Sequence, residues 1–145
     1  MTFIKMPTEF DYIVLGDPIP LSKVTESDTQ HVWDTYKDAR FRYVQTIKNI
    51  HDTYFPGASF LEGSRTRRQF VPGPIRLEAV FYMRSTPAHP AGKLHEIAPP
   101  TFSLFNFLEH ALQGVVYKED TTISHVKLKK IYDDNPRTVI KITRL

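Results

Sequence analysis

The repeat period of the apolar residues switches along this chain, and that switching restricts its fold more than any other feature. Val32, Tyr36, Ala39, Tyr43, Ile47 and Ile50 recur at three- and four-residue steps, the stripe of an amphipathic helix. Ser27 or Asp28 can cap that helix near Thr29, and Pro56-Gly57 stops it after about Tyr54. Before it, Asp11-Tyr12-Ile13-Val14-Leu15-Gly16 is short, β-branched and closed by a glycine, so it reads as a buried strand. Asp17-Pro18-Ile19-Pro20 then forms a stiff loop, because prolines at that spacing cannot continue a central strand. Residues 58–72 read as a mobile connection. Ile75 to Met83 returns to the two-residue period of a strand.

Residues 84–100 are irregular and hold Pro87, Pro90, Pro99 and Pro100. A second helix is expected from about Phe102 to Gln113, with Leu104, Phe105, Leu108, Ala111 and Leu112 on its apolar face and Gly114 as its stop. Two strands follow, about Thr122 to Tyr132 and Thr138 to Arg144, joined by the turn Asp133-Asp134-Asn135-Pro136. The element order is β-α-β-α-β-β. No internal repeat or linker divides the 145 residues, so one domain spanning 1–145 is expected.

Composition removes several classes of function. The chain has no cysteine, which excludes disulfides and thiolate metal sites and makes a reducing cytoplasm its natural home. No apolar run approaches the ~20 residues of a membrane span. Met1 to Phe10 mixes Lys5, Pro7 and Glu9 with apolar residues and does not read as a signal peptide. The histidines show no His-x-His or His-Glu-x-x-His spacing, which argues against zinc. A net charge of +3 permits nucleic acid or an acidic partner. Arg65, Arg67 and Arg68, interleaved with Ser64 and Thr66, suit phosphate contacts or a solvated loop. Lys127, Lys129, Lys130, Arg137, Lys141 and Arg144 crowd the C-terminal strands, where a solvated sheet face is the simplest reading.

The most specific stretch runs from His95 to Ile123. Its framework is Pro99, Leu104, Ala111-Leu112, Gly114, Tyr117-Lys118, Asp120 and Ile123. With Gly16-Asp17-Pro18-Ile19-Pro20 after the first strand, this framework resembles the RusA family of Holliday-junction resolvases, and the match needs no gap. The resemblance implies an α/β (α+β) fold with a small mixed sheet and two helices. It also implies a homodimer that binds branched or duplex DNA in recombination and repair, and a Mg²⁺-dependent endonuclease of a kind common in phages and prophages.

The functional positions of that family are mostly replaced. Pro100 and Phe102 stand where the resemblance calls for metal-binding aspartates, Ser103 for an asparagine, Asn106 for a lysine and His110 for the helix aspartate. Only Asp120 is kept, with Glu119 beside it as a conservative change. Mg²⁺ takes hard oxygen ligands, which Pro100 and Phe102 do not supply. Neighbours on a strand point to opposite faces, so Glu119 and Asp120 would not easily share an ion. Asp120 is either a metal-site remnant or a cap for the following strand, and His95 and Glu96 are more simply a loop pair than substitute ligands. The leading expectation is an impaired or inactive resolvase homologue that still binds DNA through Arg65, Arg67, Arg68, Lys127, Lys129 and Lys130. One alternative is an active Mg²⁺ endonuclease using Asp120, Glu119 and an acid recruited from elsewhere. Another is a dimeric module that binds a protein partner.

Overall fold

The computed structural model describes residues 6–20, 30–55 and 69–145, with the backbone alone for 30–37. Four strands, β1 (Glu9–Leu15), β2 (Ile75–Arg84), β3 (Ile123–Asp133) and β4 (Arg137–Arg144), form one sheet in the order β1-β4-β2-β3. Helices α1 (Gln30–Tyr54) and α2 (Thr101–Leu112) complete the expected β-α-β-α-β-β order, and the sheet is mixed. The cap at Ser27 or Asp28, the stop at Pro56-Gly57 and residues 58–68 lie outside the described residues.

The turn at Asp133-Asp134-Asn135-Pro136 is present, but it does not make a hairpin. β3 runs parallel to β2 on one side, and β4 runs antiparallel to β2 on the other, so the turn steps across the end of β2. Local bonds hold this step. Asp133 accepts from the Asn135 N–H at 3.0 Å and from Arg137 at 2.6 Å, and Gly16 donates to Pro136 O at 3.0 Å. These donors lower the Asp133 pKa.

Alternation decides what each face of the sheet meets. Phe10, Tyr12 and Val14, with Leu77, Ala79, Phe81, Ile140 and Ile142, are buried on the face that the helices cover. Tyr43 of α1 packs edge-on against Phe107 of α2 at 5.1 Å, and this joins the two helices over the sheet. In α2 the buried side chains are Leu104, Phe107, Leu108, Ala111 and Leu112. Phe105, expected in that set, is half-buried, because Phe107 takes the inward direction beside Tyr43. Among the described residues no element covers the opposite face, where Asp11, Lys141, Glu78 and Lys127 stand side by side across the four strands.

The far end of the 58–72 connection is not loose. Val71 is buried and donates to Val116 O at 2.8 Å. Gln69 O accepts from His51 Nε2 at 2.6 Å. A carbonyl only accepts, so His51 carries its proton on Nε2, and Nδ1 accepts from the buried Tyr12 hydroxyl at 2.9 Å. A core histidine therefore links β1, α1 and this segment. Tyr12→Phe removes this buried hydrogen bond and should cost about 1–3 kcal/mol. Urea unfolding measures this, and an unchanged midpoint would show that the bond contributes nothing.

Candidate active site

Helix α2 starts straight after Pro99-Pro100, with Pro100 at the N-cap position in extended geometry. Its inward residues anchor it to the core, so the opposite side faces solvent. Phe102, Asn106 and Glu109 follow one another at four- and three-residue steps along that side. Phe102 is 74% exposed, so it is neither a core residue nor an oxygen ligand. Pro100, Asn106 and His110 are exposed as well.

The helix ends at Leu112, and Gly114 takes the left-handed conformation at φ 79°, as a helix stop requires. Val115 and Val116 both donate to Leu112 O, and Gly114 donates to Tyr117 O at 2.8 Å. This tight turn buries Tyr117 and aims its hydroxyl back at Glu109 O, 3.4 Å away. The strand expected from Thr122 begins at Ile123. Asp120 instead opens a 3-10 turn over Asp120–Thr122, closed by Thr122 bonding back to Glu119 O. Gly73 packs so closely on this turn that a Cβ would overlap the Thr122 Cβ.

The turn brings the Asp120 carboxyl close to that of Glu109, within reach of a shared hydrogen bond. Burial, then this bond and the Asp120 charge, push the Glu109 pKa up to about 7. Near neutral pH Glu109 is thus poised to hold the proton that the pair shares. The Tyr117 phenol is pushed up by burial and by both carboxylates, so it stays a neutral donor. Glu109 escaped the sequence reading because it precedes the replaced helix position, His110, by one residue. The signal was its place on the Phe102–Asn106 line of the helix, which matters only once Asp120 is known to turn towards it.

The other anticipated residues are scattered. Glu119 is exposed at the start of the turn. Lys127 and Lys129 stand on the open sheet face. Lys130 points to the other side, where its ammonium donates to Ile97 O at 2.8 Å and Pro99 O at 2.7 Å. His95 and Glu96 lie in the loop beside Lys130, and desolvation followed by the Lys130 charge lowers the His95 pKa. Arg65, Arg67 and Arg68 lie outside the described residues.

Residues 28–143 match the family described as Endodeoxyribonuclease RusA. The chain belongs to the RusA family. No curated protein matches it individually. The RusA scaffold is that of a Holliday-junction endonuclease acting on branched DNA, and the enzymes of the family are generally dependent on a divalent metal. In this RusA-family chain no group of three or more His, Asp or Glu side chains converges as a metal site among the described residues. Two carboxylates do meet, and one or two with substrate phosphates can hold Mg²⁺. Glu109 and Asp120 therefore fit a weak, proton-competed divalent site. No helix among the described residues is long and apolar enough to cross a membrane.

The shared proton has a measurable consequence. A glutamate with a raised folded pKa binds a proton that the unfolded chain has already released. Stability therefore falls as pH rises from the unfolded value, about 4.3, towards 7. Glu109→Gln removes that loss and keeps a donor for Asp120. Its melting temperature should exceed that of the native chain at pH 8 and approach it near pH 4. An offset independent of pH would show that no proton is shared.

Proposed function

We propose that this RusA-family chain is a homodimer that binds branched or duplex DNA with impaired cleavage chemistry. The observation that carries the reading is the solvent side of α2. Where the family resemblance calls for a ligand and a lysine it presents the exposed Phe102 and Asn106, which leaves Glu109 and Asp120 as the converging pair. A phosphate at such a site meets two acids, and Asn106 does not supply the charge of the helix lysine that it replaces. Cleavage needs a cation there to shield the charge and activate water.

DNA binding is supported by the charge on the open sheet face. Towards β3 it carries Arg76, His125, Lys127 and Lys129, with Arg76 register-paired to His125. Towards β1 it carries Glu9 and Asp11. A polyanion would take the β3 side, and Arg65, Arg67 and Arg68 add to the candidate contacts. The convergence of Glu109 with Asp120 supports a second reading, in which Glu109 is the recruited acid of a residual Mg²⁺-dependent endonuclease.

Gel shifts on a four-way junction across a salt series, with cleavage assays in Mg²⁺ and Mn²⁺, test both readings. Binding should weaken with salt. Lys127→Ala with Lys129→Ala should flatten the slope of log affinity against log salt by about 0.9 for each phosphate no longer neutralised. Unchanged affinity and slope would move the DNA site elsewhere, and no binding at low salt would favour a protein partner. The native chain should leave the junction uncut. Cleavage that Asp120→Asn and Glu109→Gln each abolish would establish the recruited-acid enzyme instead.

A further inference from the structure

The sheet protects its two outer edges unequally. At the β1 edge the Tyr54 hydroxyl bonds to both Asp11 N–H, at 2.8 Å, and Asp11 O, at 3.3 Å. At the other edge, among the described residues, β3 is covered only near its C-terminal end. There Tyr132 N donates to Lys93 O, Gly92 N donates to Tyr132 O, and His95 N donates to Lys130 O. These bonds also show which residues of β3 face outward. Groups at 130 and 132 point away from β2, so those at Ser124, Val126 and Leu128 do too. Among the described residues no partner meets the outward N–H and C=O groups of these three residues. An edge left open in this way is a template for another strand.

We propose that this open stretch pairs with the same stretch of a second copy, antiparallel, about a two-fold axis at Val126. The inference rests on the homodimer reading above and names its interface. The register follows from the chain itself. Val126 faces its own copy, and Ser124 faces Leu128 of the other chain, each pair exchanging both backbone bonds. Val126 is 39% exposed, more than any other apolar side chain of β3, and the axis covers it with its twin. On the other face Lys127 falls opposite His125 and Lys129 opposite Ile123, so no two lysines stand directly across from each other. A two-fold axis at Val126 makes this pattern self-complementary.

Such pairing would make one continuous sheet with both sets of helices on the same side. The basic rows of the two open faces would meet in the middle, and the acidic β1 ends would lie outermost. That places a two-fold basic band where a branched polyanion with its own two-fold symmetry would sit.

The chain lacks cysteine, so single cysteines give a clean test. Val126→Cys should form a covalent dimer under mild oxidation, because the paired Cα atoms would be about 5.5 Å apart, inside the range a disulfide spans. Lys127→Cys should not, since its copies would stand about 8 Å apart. Val126→Lys and Val126→Glu should each weaken the dimer about tenfold or more in sedimentation equilibrium, and mixing the two chains should restore it. A native chain that is monomeric at all concentrations would overturn the homodimer reading and this interface with it. A native dimer that ignores all these substitutions would overturn the β3 edge alone, and so would crosslinking of Lys127→Cys as fast as Val126→Cys.

Discussion

The position of β4 is the constraint on which the rest of the structure depends. Among the described residues β1 has hydrogen-bonded strand pairing with β4 alone, and β2 pairs on one side with β4 and on the other with β3. The C-terminal strand thus joins the N-terminal strand to the middle of the chain. It gets there only because the link after β3 crosses the end of β2, and Asp133 holds that crossing with bonds to Asn135 and Arg137. Arg137 lies over the Tyr82 ring, 3.8 Å from its centre, which fixes the first residue of β4 against β2.

With the sheet closed in this order, its two faces take different roles. The buried face needs α1 and α2, and the Tyr43–Phe107 contact sets them side by side. Burying Leu104, Phe107, Leu108, Ala111 and Leu112 leaves α2 one rotational setting, and this turns Phe102 and Asn106 to solvent with Glu109 half-buried on the same side. The Gly114 turn and the buried Tyr117 then return the chain so that Asp120 meets Glu109. The scaffold that positions the carboxylates therefore consists of apolar packing and backbone bonds. It persists although most of the acids expected on it are gone, which is why framework and ligand set are separable in this chain.

Helix α1, the β-branched strands, the Gly114 stop and the element order were legible in the sequence because each depends on local periodicity or on a residue with a special backbone role. The exposure of Phe102 was not legible, since a phenylalanine on an amphipathic helix is apolar by type. Nor was His51, since a histidine on an amphipathic helix is polar by type and becomes a core residue only through Tyr12 and Gln69 O. Glu109 was missed for a related reason: its partner is eleven residues away across a reversing turn. Lys130 looked like its neighbours Lys127 and Lys129, but alternation turns it to the other face, where two loop carbonyls hold it.

The sequence by itself determined the kinds of element, their order and the family, because these follow from side-chain type at fixed spacing. Only the tertiary structure decided that β4 lies between β1 and β2, that Asp120 comes close to Glu109, and that, among the described residues, part of the β3 edge is left unpaired. Each of these depends on which backbone and carboxyl groups come within bonding distance after the chain has reversed on itself. Such distances are set by packing, and no local pattern of residues encodes them.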